Sequence, residues 1–306
     1  LLRCLSALSE QNFDPGAFEL IVVSDGPDPL TANALSGWQI GPLPKLRYMN
    51  TPEKKGPAAA RNYGWLNAKG TLIAFTDDDC IPDFNWLNAI YGRYQGEEYF
   101  ALSGKTIVPV SEKPTDYELN TAGLQTADFI TANCCCSKKA LMATGGFDEQ
   151  FTMAWREDSD LEFKLIRARI PIYKVSGAVV THPVRTAPWG ISIKEQRKTL
   201  YNALLYKKDP VLYRQKIQPA PPVLYYAIIS AFLIMLTGLL IPDKTLSWVG
   251  LVMWLSLSLL FIFRRLRNTT LAPGHLIEIV VTSLCIPFLS IYWQWYGAIK
   301  YRILLV

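Results

Sequence analysis

The stretch Pro221–Ile241, PPVLYYAIISAFLIMLTGLLI, limits the chain more than any other feature. About 20 consecutive uncharged residues are enough for a helix to cross a ~30 Å hydrocarbon core. A second run, Leu246–Phe263, follows after the short turn IPDK, so the two predict a helical hairpin. A third run, Leu276–Ile299, contains Glu278, Pro287 and several aromatics, which leaves open whether it spans a bilayer or lies along it. Residues 221–306 hold six bases and two acids, so the formal charge of +5 belongs mostly to this part. The basic run Arg264–Arg267, with Lys207, Lys208, Arg214 and Lys216, places both ends of the hairpin in the cytoplasm by the positive-inside rule. The expected location is the inner cell membrane, multi-pass, with the larger N-terminal part cytoplasmic.

That part has a different pattern. Phe18–Gly26, Lys45–Asn50 and Thr71–Thr76 read as strands; Gly56–Gly70, Pro82–Tyr94 and Arg156–Ile170 read as helices, the first with Pro57 at its first position and Gly70 after its end. Alternation of this kind predicts an α/β domain with a mostly parallel central sheet, whose ligands sit beyond the carboxyl ends of the strands. Pro171–Pro183 reads as a strand pair or one bent strand. Three regions follow: residues 1–188 as the α/β domain, 189–220 as an amphipathic helical linker at the membrane surface, and 221–306 as a membrane domain of two to three helices. The opening LLRCLSALSEQ reads as the middle of an amphipathic helix without an initiator Met, so the true N-terminus is expected to lie upstream.

Six cysteines show no CxxC spacing, and the run Cys134–Cys136 is no disulfide framework; buried thiols are expected. No basic block with interleaved aromatics occurs in the soluble part, which argues against nucleic acid as a partner.

Strand-end acids carry the chemistry. In TLIAFTDDDCIPDF, Asp77 and Asp79 project to one side of an extended chain and Asp78 to the other. Two such carboxylates repel by on the order of 1–4 kcal/mol. A divalent cation removes that repulsion, and Mg²⁺ in particular binds through one or two carboxylates together with substrate phosphates. A solvated acidic loop or a helix cap would look the same in sequence. In EDSDLEFKL, Asp158 shares a helix face with Leu161 and Leu165, which puts a carboxylate on the core-facing stripe. Such a group is costly unless partnered or used.

Five blocks together, SDGPD (Ser24–Asp28), GPAAARN (Gly56–Asn62), FTDDDCIPD (Phe75–Asp83), GGFDE (Gly145–Glu149) and EDSDLEFKL (Glu157–Leu165), resemble family 2 glycosyltransferases over roughly residues 1–210. The resemblance implies a nucleotide-sugar-binding fold of the GT-A type, a divalent metal (Mg²⁺ or Mn²⁺) and a DxD motif. It implies that Asp25, Arg61, Asp77 and Asp78 bind the nucleotide. Asp79, Asp77 and His182 would hold the metal, and Asn133 would line the sugar or acceptor pocket. Asp158, with Glu157 second, would be the general base. The reaction implied is inverting transfer of a sugar from a nucleoside-diphosphate donor to a hydroxyl acceptor, in cell-surface glycan or glycolipid synthesis. The amphipathic Trp189–Pro210, beside the membrane spans, adds the expectation of a lipid-linked acceptor and of contact with membrane lipids. A nucleotidyltransferase on a related scaffold, or an inactive membrane scaffold, are the rival readings.

Overall fold

The computed structural model describes residues 1–38 and 44–304. It divides into two compact units: residues 1–109 with 122–184, and residues 110–121 with 185–306.

The first unit starts with α1 (Leu2–Ser9), β1 (Glu19–Ser24), α2 (Pro29–Ser36), β2 (Lys45–Asn50) and α3 (Pro57–Asn67). The strands β1 and β2 form a parallel pair in which Leu20 faces Leu46. Asp28 caps α2 by accepting from the Leu30 and Thr31 amides. Next come β3 (Leu72–Phe75), β4 (Ile81–Pro82), α4 (Trp86–Arg93) and β5 (Ala101–Ile107). After an excursion containing α5 (Asp116–Ala122), the unit closes with β6 (Cys134–Ser137), α6 (Lys138–Thr144), α7 (Glu157–Arg167) and β7 (Ile172–Thr181).

Five of these strands form a sheet ordered β3-β6-β5-β7-β4. It is mixed rather than mostly parallel: β5–β7 is parallel, while β3–β6, β5–β6 and β4–β7 are antiparallel. The sequence suggested parallel strands because helices separate most of them. However, β6, which follows β5 by way of α5 and two short 3₁₀ turns, docks antiparallel between β3 and β5. Helices cover both faces. Phe100, Leu102, Cys135, Ala178 and Val180 pack toward α1 and α4, while Ala101, Cys134, Cys136, Ile73 and Phe75 pack toward α3, α6 and α7. The three consecutive thiols thus alternate between the two cores. All are fully buried and free, which is the packing role expected of them.

Where a helix was expected from Pro82, the chain first adds Ile81–Pro82 to the sheet edge, and α4 begins at Trp86. An edge strand tolerates a proline because its unpaired side needs no N–H.

The second unit holds α8 (Ile191–Glu195), a 3₁₀ turn, α9 (Leu200–Lys208), α10 (Pro210–Lys216), α11 (Val223–Leu240), α12 (Lys244–Leu266) and α13 (Pro273–Tyr301). The last three are long and apolar enough to cross a membrane. Gly238 against Ser247, and Gly250 against Met235, let α11 and α12 approach so closely that an added Cβ would strike the neighbouring helix. The expected amphipathic helix is present as α8, the 3₁₀ turn and α9, but it does not present an exposed apolar stripe. Leu200 through Leu205 are all buried.

Candidate active site

The aspartate run sits in the turn just past β3, not on the strand itself. Asp78 is exposed, whereas Asp77 and Asp79 are half-buried. The Cys80 amide donates to the Asp77 carbonyl at 3.1 Å, and Cys4 Sγ reaches the same oxygen at 3.6 Å, so the turn is fastened from behind.

Sheet register then brings in a distant residue. Ile81 pairs with Thr181 across the antiparallel β4–β7 ladder, so Cys80 and His182 come side by side. The donor atoms of Asp77, Cys80 and His182 lie within 4.8 Å of one another. The Asp77 carboxylate is the donor that suits a hard ion such as Mn²⁺ or Mg²⁺, the imidazole can join it, and the thiol would favour a softer ion such as Zn²⁺. Of the expected metal residues Asp79, Asp77 and His182, the last two belong to this group, and Cys80, read from sequence as a packing thiol, takes the third place. Burial, followed by the neighbouring aspartates Asp77 and Asp79, raises the thiol's pKa far above its ordinary value.

Arg61, on the second turn of α3, joins two clusters. Its Nη2 donates to Asp77 Oδ1 at 2.9 Å and its Nη1 to Glu157 Oε1 at 3.1 Å. The guanidinium is buried and also stands over the Phe147 ring at 5.8 Å. Burial opposes its charge, but Asp77 and then Glu157 outweigh that and hold its pKa above the usual value. Next to it, Asn62 bonds the Phe147 backbone and accepts from Trp65 Nε1. The motif blocks GPAAARN and GGFDE are thereby sewn together.

Glu157 and Asp158 open α7 after Arg156, which has φ 76°. Burial raises the Glu157 pKa to about 7, helped by the Asp158 charge and resisted by Arg61. Asp158 is raised too, mainly by burial, although its Oδ1 accepts from the Ser159 amide at 2.6 Å. The second Glu157 oxygen, Oε2, is buried and has no hydrogen-bond partner among the described residues. An orphaned acceptor of this kind, next to a carboxylate with a raised pKa, suits a bound hydroxyl donor.

Two expected binding residues have structural occupations. Asp25 accepts from the backbone amides of Lys55 and Gly56 at 2.8–3.0 Å, tying the end of β1 to the start of α3. Gly56 is required there: its φ is +102° and a Cβ would lie 2.5 Å from the Thr152 carbonyl oxygen. Asn133 requires a correction, because it does not line a sugar pocket. Its side chain is wholly buried, donating to the Lys105 and Ala178 carbonyls at 3.0 and 2.9 Å and accepting from Trp86 Nε1 at 2.9 Å. The bulge between Gly104 and Lys105 in the β5–β7 ladder opens the space that it fills.

The family model described as Glycosyl transferase family 2 matches residues 1–149. A pre-mycofactocin glycosyltransferase of Mycobacterium tuberculosis is 29% identical over 211 residues, covering 63% of this chain. The chain matches 43% of that protein's own length. The glycosyltransferase AglE of Haloferax volcanii is 31% identical over 85 residues, 28% of each chain. Among solved structures, a mannosyltransferase of Pyrobaculum calidifontis, in complex with GDP-Man and Mn²⁺, superposes with TM-score 0.59 at 18% identity. That match covers 92% of this chain and 82% of the other, and the shared fold is GT-A-like.

Proposed function

We propose that the chain is a family 2 glycosyltransferase that transfers a sugar from a nucleoside-diphosphate donor to a hydroxyl acceptor with inversion, assisted by a divalent metal. The proposal is supported chiefly by one observation: the Arg61 guanidinium bridges Asp77, at the aspartate turn, and Glu157, at the start of the acid-rich helix. Donor-binding and acceptor-activating residues thus share one network.

Asp77 and His182, with Asp79 in the same turn and Cys80 beside them, would hold the ion. When bound, it would supply Lewis-acid stabilisation for the departing diphosphate. The remaining steps belong to side chains of the chain. Asp158 takes the proton of the acceptor hydroxyl, whose oxygen attacks the anomeric carbon as the bond to the diphosphate oxygen breaks. Its raised pKa strengthens it as a base. Arg61 keeps Glu157 and Asp77 apart in charge, and Glu157 Oε2 is left to accept from the acceptor. Asp25, Arg61, Asp77 and Asp78 are the nucleotide-side residues of this reading.

The long apolar helices anchor the enzyme, with the catalytic unit cytoplasmic and the acceptor lipid-linked. The test is donor turnover by the full chain in membranes. It should release nucleoside diphosphate, not pyrophosphate, only when Mn²⁺ or Mg²⁺ is present. Asp158→Asn should lose roughly 10²–10⁴-fold in kcat while donor affinity is kept. Full activity after chelation, or in Asp158→Asn, would end this reading.

A further inference from the structure

By length and composition α13 is a third membrane span. We infer that α13 instead lies in the plane of the membrane surface, on the same side as the open end of the α11–α12 hairpin. There it forms a lipid-facing platform at the boundary between headgroups and acyl chains. The inference rests on the proposed membrane insertion of the hairpin.

The partners of α13, taken in order along it, carry the argument. Near its start, Glu278 Oε1 accepts from the Gly190 amide at 2.7 Å. One turn later, Thr282 and Ser283 accept from Arg265 Nη1, at 2.8 and 2.9 Å, and Arg265 sits in the last turn of α12. In the middle, Ile286 packs with Ile228 and Phe261, and Phe288 meets the Phe232 ring at 5.2 Å. Farther on, Gln294 lines a small cavity with Pro222 and Tyr226, at the very start of α11. At the end, Gly297 presses on the Leu200 backbone and Lys207 Nζ donates to the Tyr301 carbonyl at 2.9 Å.

Those hairpin contacts lie at Pro222, in the first ten residues of α11 or in the last six of α12. From Glu278 to Tyr301 the helix is about 35 Å long at 1.5 Å per residue. Were it to run across a bilayer beside the hairpin, its second half would meet the Leu233–Trp248 end. It does the opposite. It starts at the open end of the hairpin, dips to Phe232, and returns to the open end by Gln294. Pro287, where a helix loses one backbone bond, lies at the deepest contact. Meanwhile α13 tracks the segment from Gly190 to Lys207 along its whole length.

The two faces of α13 agree with that placement. The buried face sets Ile279, Ile286 and Ile291 among small or polar residues, Thr282, Ser283, Ser290, Gln294 and Gly297. The outer face presents Ile277, Val281, Tyr292, Trp295, Tyr296 and Ile299, all exposed. These positions recur at helical spacing, and tyrosine and tryptophan favour the headgroup level. A bilayer leaflet is the partner this surface fits.

Single cysteines test it in the full chain, with Cys285→Ala to remove the one thiol that is not buried. Leu271→Cys precedes α13, Lys300→Cys ends it, and Ile241→Cys marks the closed end of the hairpin. A membrane-impermeant maleimide is applied to intact cells and to inside-out vesicles. The expected result is that 271 and 300 react from one side and 241 from the other. Reaction of 300 from the same side as 241 would make α13 a span and overturn the inference while leaving the hairpin intact. Reaction of all three from one side would remove the hairpin, and the platform with it. Spin labels at 277, 281, 292 and 299 give an independent reading. All should report similar shallow depths, against a deep position for Val252; depth increasing steadily from 277 to 299 would overturn the inference.

Discussion

Arg61 shows how one side chain can set the charge state of a site. It is the shared cation of Asp77 and Glu157, and its removal leaves two half-buried or buried carboxylates facing each other. Breaking a buried pair in this way costs about 3–5 kcal/mol. Arg61→Met should therefore lower the denaturant midpoint sharply, and more than Arg61→Lys; equal midpoints for Arg61→Met and native protein would remove the bridge from the account. Glu157 gives a pH signature. Its folded pKa of about 7 lies above the ordinary 4.5 because burial, then Asp158, disfavours its charge. A carboxyl raised by folding contributes stability that is full below pH 4.5 and is lost as the pH rises through about 7. Between pH 5 and 8 the Tm of native protein should thus fall more steeply than that of Glu157→Gln, and parallel slopes would contradict this assignment. Asn133 belongs at the same scale. Asn133→Ala leaves two carbonyls and the Trp86 N–H unpaired in the core, at about 1–3 kcal/mol each. It should destabilise the fold with little change in donor KM; a selective rise in KM would restore the pocket role.

Elements explain which of these roles could be read from sequence. The apolar runs, the aspartate turn after β3 and the acid-rich start of α7 are local patterns, so they are legible in a single chain. The Asp77–Arg61–Glu157 bridge, by contrast, joins residues 16 and 96 positions apart. Cys80 reaches His182 only through the β4–β7 register, and the saturation of Asn133 depends on a bulge between two other strands. No local spacing encodes such pairings. The same holds for strand direction: β6 is antiparallel because of where it docks, not because of its own residues. The hairpin offers an element-scale prediction. Gly250 lies directly on the Met235 backbone of α11. Gly250→Leu must push the helices apart, and packing of close-approach helices is what holds such pairs together in lipid. Thermal unfolding in detergent should drop by several degrees for Gly250→Leu and less for Gly250→Ala. An unchanged midpoint for both would mean that the two helices do not depend on each other.

At the scale of the whole molecule, the two compact units are not consecutive in sequence. Residues 110–121 leave the sheet domain after β5, join the helical unit, and come back to supply the 3₁₀ turns before β6. Within the helical unit that excursion is held by Arg265, whose Nη2 donates to Asp116 Oδ2 at 2.6 Å. The same guanidinium bonds Thr282, Ser283 and, at 3.4 Å, Ser192, so its charge is dispersed over three other elements. The Thr270 amide adds a bond to the Pro114 carbonyl at 2.8 Å. A cut after residue 188, which sequence alone suggests as the catalytic domain boundary, would strip the excursion of all these partners. The shortened chain should then be cleaved by protease within 110–121 far faster than the full chain. A reciprocal exchange isolates the ion pair from general damage. Arg265→Asp alone places a carboxylate against Asp116 and should expose the segment to cleavage, and Asp116→Arg alone sets two cations together with the same result. The double exchange restores opposite charges across the contact, so protection should return in part. If both single variants resist protease like the native chain, or the double variant is as labile as the worse single one, the Asp116–Arg265 contact is not what holds the excursion in place.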